Sequence, residues 1–285
     1  MYGNPPLAAA LAIALEPTGW MGAGTVCRSR DHRDKKMQDY IVASYRVALA
    51  FRRLCSSKLP KPVGSLLPAV VSEVHKPFNT NLSLGSLFLL YYNVVAACHD
   101  RRVCDIRTNA TYAYSLLVSD SLVWLFDSIR ELSPSHVRSS RSPFWPNVKS
   151  PLYGIERERY TGSSSMLALK LLSRHDPIFQ EASTAFVHTS KLATEYLRKH
   201  GCQVPSSSVI DELFKDLCSN FVDSLLFRKR GLERALEVML ACKAGSMPKF
   251  DSRESLGSIA DLVTLVLYYI SNECAESWFF LKTVP

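Results

Sequence analysis

The stretch Asp176 to Gly201, reading DPIFQEASTAFVHTSKLATEYLRKHG, decides the fold class. Asp176 before Pro177 has the chemistry of a helix start: a carboxylate that can accept from exposed backbone N–H groups, then a ring already set at a helical φ. Phe179, Ala182, Phe186, Ala193 and Leu197 recur at helical spacing, and Gly201 offers the left-handed residue on which a helix stops. The spacing predicts one amphipathic helix with its apolar stripe turned inward.

The same grammar repeats downstream. A helix starting near Ser206 to Ser208 places Ile210, Leu213, Leu217, Phe221 and Leu225 on one face, and Arg228-Lys229-Arg230-Gly231 closes it with cations suited to a helix C-terminus. The next carries Leu232, Leu236, Met239 and Leu240 to Gly245. The last opens on Asp251 and Glu254, spaced as a capping box, and buries Ile259, Val263, Val266, Ile270 and Cys274.

Upstream, helices are predicted over 38–56, 63–75, 83–98 and 108–132, the last with Leu122, Leu125, Phe126 and Ile129 on one stripe. No stretch alternates as a strand does. The expected architecture is all-α: a HEAT-like, repeat-like helical bundle with a separate amino-terminal amphipathic helix.

Three units are expected. Residues 1–36 read as a disordered extension, or as an upstream start error with Met37 as the true beginning. Residues 37–62 form a partner-binding helix and linker, and residues 63–285 the helical body. A loop at 133–165 interrupts the body, since Pro134, Pro143, Pro146 and Pro151 exclude a continuous helix. Leu7 to Leu15 resembles a secretory apolar run, but no Lys or Arg precedes it. No apolar run reaches the ~18 residues of a membrane span.

Lys and Arg number 34 against 26 Asp and Glu, a formal charge of +8 that favours polyanionic partners. Three basic clusters could neutralise phosphates: Arg46, Arg52 and Arg53; Arg138, Arg141 and Lys149; and Arg228, Lys229 and Arg230. The eight cysteines lack a CxxC pair and read as reduced core thiols. No glycine-rich phosphate loop and no HExxH occurs, and Cys98-His99 with Cys104 lacks the second ligand pair that zinc requires. No enzymatic activity, cofactor or metal is expected.

Three stretches carry a family resemblance: Met37 to Phe51; Val118 to Ser128 with Ser142-Pro143-Phe144-Trp145; and Cys218 to Leu225 running into 228–242. They resemble the meiotic DNA double-strand-break accessory proteins of the Mei-four group, which includes Rec-twenty-four and a plant recombination-initiation-defect protein. The resemblance implies a nuclear, chromosome-associated scaffold without enzymatic activity. It implies binding to DNA and to a dimeric Rec-one-one-four-type partner, and indirectly to the topoisomerase-like break-forming transesterase complex. Carried onto this chain, Tyr40, Ile41, Tyr45, Ala48 and Leu49 become the partner-facing stripe, docking as a helix in a groove. The alternatives are a basic nucleoprotein coating single-stranded RNA, or a generic interaction scaffold.

Overall fold

The computed structural model describes residues 3–19, 25–28, 30–32, 34–78, 80–132, 157–246, 248–251 and 254–279. Among these residues the protein is an all-α bundle. There is no strand, only the isolated bridges Cys27 to Arg30 and His32 to Lys35. The helices are α1 (Pro5–Leu15), α2 (Met37–Ser56), α3 (Leu67–His75), α4 (Leu84–His99), α5 (Ile106–Ser119), α6 (Val123–Leu132) and α7 (Gly162–Leu172). They continue as α8 (Pro177–Ser183), α9 (Val187–His200), α10 (Ser207–Asn220), α11 (Ser224–Arg230), α12 (Leu232–Lys243), α13 (Gly257–Glu273) and α14 (Ala275–Phe279).

Two helices form the centre. α13 is buried without a break from Leu262 to Asn272 and packs against α1, α4, α8, α9, α10 and α11. α4 is buried from Ser86 to Ala97. A helix apolar on every side has no face to give to water, so other helices must surround it. Asn93 locks the two together. Its carbonyl accepts from Tyr268 Oη at 3.2 Å and from Asn109 Nδ2 at 2.9 Å, and its Oδ1 accepts from Tyr269 Oη at 2.7 Å. Buried polar groups so satisfied fix register instead of destabilising the core.

The structure differs from the sequence reading at several points. Residues 5–15, expected to be disordered or spurious, form α1, with Ala8, Ala9, Ala12 and Ile13 sealed against α2 and α13. Alanines let backbones approach closely, so a run that looks like a leader serves as a core rod. The helix over 176–201 breaks at Ala185 and Phe186, whose φ values are 57° and 56°. The cause is Glu181, whose buried carboxylate accepts from the backbone N–H groups of His188 and Thr189 and from the Thr189 hydroxyl, so it caps α9 from outside. Asp120 ends α5, and the predicted helix over 108–132 becomes two.

Asp251 and Glu254 do exchange the reciprocal bonds of a capping box, at 3.1 Å each. They close a turn ahead of the helix, and α13 begins only at Gly257. The cysteines also depart from expectation. Cys55 with Cys98, Cys202 with Cys274 and Cys218 with Cys242 form disulfides, because helix packing brings distant thiols together where no sequence spacing could reveal it.

α2 turns Tyr40, Ala43, Val47, Ala50, Phe51 and Leu54 into the body. Of the expected partner stripe, Tyr40 is buried and Ala48 half-buried, while Ile41, Tyr45 and Leu49 face solvent.

Candidate active site

α1 ends against the start of α4 and the start of α13, and Thr25, Val26, His32, Asp34 and Lys35 line the gap between them. The result is a cavity of 820 Å³ open to solvent, within the range typical of small-molecule sites. Its chemistry comes from element ends. Glu16 follows α1; His32, Asp34 and Lys35 lie just before α2; Ser83 to Ser86 open α4; Arg228 and Lys229 close α11; Ser258 and Asp261 belong to the start of α13.

Two carboxyl groups dominate it. Glu16 is 3% exposed, and its Oε1 has no hydrogen-bond partner. Burial, reinforced by the negative charge of Asp261, pushes its pKa up to about 8. Asp261 accepts from the Ser86 backbone N–H at 2.9 Å and the Ser86 hydroxyl at 2.5 Å. Removal from bulk water raises its pKa to about 7 despite those bonds and the opposing pull of Lys35, with Asp176 adding to the rise. The carboxylate fits there because residue 85 is glycine: a Cβ on Gly85 would meet Asp261 Oδ2 and Ile178 Cδ1.

Cations face this pair. Burial lowers the Lys35 pKa, and the nearby Asp34 and Asp261 oppose that fall. Asp34 is kept far below the ordinary carboxylate range, first by its 2.6 Å bond to His32 Nδ1 and also by the Thr80 hydroxyl at 2.9 Å. His32 Nε2 and Ser83 Oγ are buried without partners. Arg228 is braced from Ser224, Nε to the carbonyl at 3.0 Å and Nη2 to the hydroxyl at 3.0 Å, and lies 3.5 Å from Asp176 Oδ2. Lys229, its pKa lowered by burial, stands beside it. α4 and α13 both direct their N-termini at the cavity, and backbone N–H groups there favour an anion. The unpartnered Ser83 hydroxyl, three basic side chains and two helix starts in one hollow suit a polyphosphate.

A buried polar floor holds the elements in register. Ser224 Oγ donates to Asp176 Oδ2 at 2.6 Å and lies 2.7 Å from Ser258 Oγ. Asp223, 3% exposed, accepts from Leu226 N at 2.7 Å and from Ile259 N at 3.0 Å, so one carboxylate caps α11 and braces α13.

The structure scatters the residues singled out from sequence. Arg228 and Lys229 line the cavity, whereas Arg230 pairs with Asp251 and Glu254. Arg46 donates from Nε to the Glu73 carbonyl at 2.7 Å, Arg53 pairs with the Glu73 carboxylate, and Arg52 is exposed. Arg138, Arg141 and Lys149 lie outside the described residues, as does most of the loop expected at 133–165. Sequence reasoning missed Glu16, Lys35 and Asp261. The available signal was Asp261 itself, a charge set between Ile259 and Val263 on an apolar helix, where burial is costly without a purpose.

Comparisons with known proteins bear on this hollow. Residues 5–273 match the family described as CitG: ATP:dephospho-CoA triphosphoribosyl transferase. A crystal structure from Archaeoglobus fulgidus, described as a candidate triphosphoribosyl-dephospho-CoA synthase, has the same fold. It aligns with a TM-score of 0.62 at 17% identity, over 84% of this chain and 99% of that one. No curated protein matches the sequence.

The family match overturns the Mei-four resemblance and what followed from it: the recombination scaffold, the absence of enzymatic activity, the DNA, Rec-one-one-four-type and transesterase partners, and the chromosomal location in the nucleus. The RNA-coat and generic-scaffold alternatives fall with them. The resemblance rested on short degenerate helical segments, which many all-α proteins share, whereas the match runs almost end to end and includes α1.

Proposed function

We propose that this chain, which belongs to the CitG family of ATP:dephospho-CoA triphosphoribosyl transferases, uses the cavity to move the triphosphoribosyl group of ATP onto a hydroxyl of dephospho-CoA. The triphosphoribosyl group is ATP without its adenine. The bond from ribose C1 to the adenine nitrogen therefore breaks, and adenine leaves with the electron pair and takes up a proton. A bond from C1 to the acceptor oxygen forms as that hydroxyl gives up its proton.

Substitution at a sugar C1 passes through an oxocarbenium-like state and calls for one acid and one base. Glu16, whose buried carboxyl holds its proton up to about 8, is suited to protonate the departing adenine. Asp261, ionised above about 7, is suited to receive the acceptor's proton and to face the positive charge growing on C1. Lys35, Arg228, Lys229 and the N-termini of α4 and α13 hold the triphosphate. The observation that carries this reading is the placement of two buried carboxyl groups, Glu16 and Asp261, among basic side chains in one cavity, with burial raising the pKa of each.

The test is to incubate purified protein with ATP and dephospho-CoA and to follow adenine and the coupled product by chromatography and mass spectrometry. Equimolar adenine and product are expected, and Glu16→Gln should reduce kcat by roughly 10²- to 10⁴-fold. A wild-type protein that forms neither product sinks the reading.

A further inference from the structure

We propose that the groove between α2 and α3 seats the diphosphate and pantetheine arm of the acceptor. This rests on the transfer reading and says where the acceptor's non-reacting end lies. An acceptor specified as dephospho-CoA is specified at its adenosine end, because CoA differs from it only by a phosphate on that ribose. The reacting ribose then belongs in the cavity beside C1 of ATP. A hollow of 820 Å³ matches a site for one drug-sized ligand, so the rest of a molecule as long as dephospho-CoA has to leave it.

A second hollow adjoins the cavity. A groove of 630 Å³ runs along α2 and α3, and two of its lining residues, Ser72 and Lys76, also line the cavity. Ser72 lies in the last turn of α3 and Lys76 caps its end, so the two spaces adjoin at that end of the helix. Arg46, Arg53 and Lys76 bring three cations to the groove against the single carboxylate of Glu73, an excess of positive charge that complements a diphosphate ester. Glu73 orients both arginines, its carbonyl taking Arg46 Nε at 2.7 Å and its carboxylate pairing with Arg53. Leu49, between Arg46 and Arg53 on α2, and Ala69 supply apolar wall among the charges, and Leu49 is 37% exposed. Cations with aliphatic wall among them complement an arm that joins a charged diphosphate to an uncharged pantetheine.

The experiment compares wild type, the Arg46→Ala/Arg53→Ala double variant and Leu49→Ser, with folding checked by circular dichroism. Steady-state kinetics use dephospho-CoA and, as truncated acceptors sharing its adenosine, ADP and AMP. Binding of dephospho-CoA without ATP is titrated calorimetrically. The double variant should raise the KM and Kd for dephospho-CoA about tenfold or more, while kcat at saturation and the KM for ATP stay within about twofold. Leu49→Ser should weaken dephospho-CoA but not ADP, and neither change should affect AMP. Unchanged dephospho-CoA binding in both variants, or an equal loss with AMP, overturns the assignment. A wild type that binds dephospho-CoA but transfers nothing would defeat the transfer reading, while the binding titration would still report on the groove.

Discussion

Asp261 receives both the backbone N–H and the hydroxyl of Ser86, so the first turn of α4 and the second turn of α13 meet on one carboxylate inside the cavity. Both bonds favour its ionised form. Asp261→Asn keeps the shape and removes the charge, and should lower kcat about 100-fold or more. Ser86→Ala removes only the hydroxyl bond, so the Asp261 pKa should rise and the acidic limb of the pH–rate profile should move to higher pH. An unmoved limb in that variant would separate Asp261 from the base role.

The two raised carboxyl groups predict a narrow activity optimum. Asp261 must lose its proton, near 7, and Glu16 must keep its own, up to about 8. kcat/KM should peak between those values and fall on either side. In Glu16→Gln the residual rate should lose its alkaline limb, as initial rates from pH 5.5 to 9.5 would reveal.

Glu16 also links stability to pH. In the folded chain its proton stays on up to about 8, against 4.5 for the ordinary side chain. The folded state thus binds more protons between those values, and its stability falls as pH rises through that window. Glu16→Gln should be stabilised relative to wild type above pH 8, by an amount on the order of a few kcal/mol, with the difference vanishing below pH 4.5. Urea unfolding at both ends of the range reads it directly.

Gly85 should tolerate no side chain. In Gly85→Ala the new methyl group would press on Asp261 Oδ2 and Ile178 Cδ1, an overpacking that typically costs about 1–3 kcal/mol. Activity should fall further than that loss of stability explains, because the displaced atom belongs to the proposed base. A thermal melt and a rate measured well below Tm distinguish the two effects.

The disulfide Cys202 to Cys274 spans 72 residues and ties the end of α9 to the end of α13. Closing a loop of that length stabilises by about 4 kcal/mol in the chain-entropy account. Cys202→Ala/Cys274→Ala should lower the unfolding midpoint accordingly. Thiol titration of the unfolded, unreduced protein should find two of the eight cysteines, Cys27 and Cys104.

Most helices were legible because burial imposes a period. The stripe from Phe179 to Leu197, the N-cap at Asp176 and the stop at Gly201 all follow from forces within a few residues of chain. The break at Phe186 was not legible locally, since Glu181 creates it by capping α9 through space. The site was hidden for a related reason. Glu16, Lys35, Asp176 and Asp261 share no motif and meet only through packing of α1 and α4 on α13. The basic clusters, read from charge alone, divided into cavity-lining residues such as Arg228 and ordinary helix-end pairs such as Arg230 with Asp251. Charge density marks candidates, but the fold decides which of them face a ligand.

α1 docks its alanine face on α2 and α13 and delivers Glu16 beside Asp261. The two proposed proton carriers therefore come from positions far apart along the chain and meet only once the helices between them have packed. While the ribosome is still adding the middle of the chain, no partial pocket exists that could grip ATP or discharge its adenine. Without the residues ahead of Met37 the chain would lose Glu16, Lys35 and the alanine rod that seals α13, and with them the acid, a phosphate-holding cation and a wall of the hollow itself.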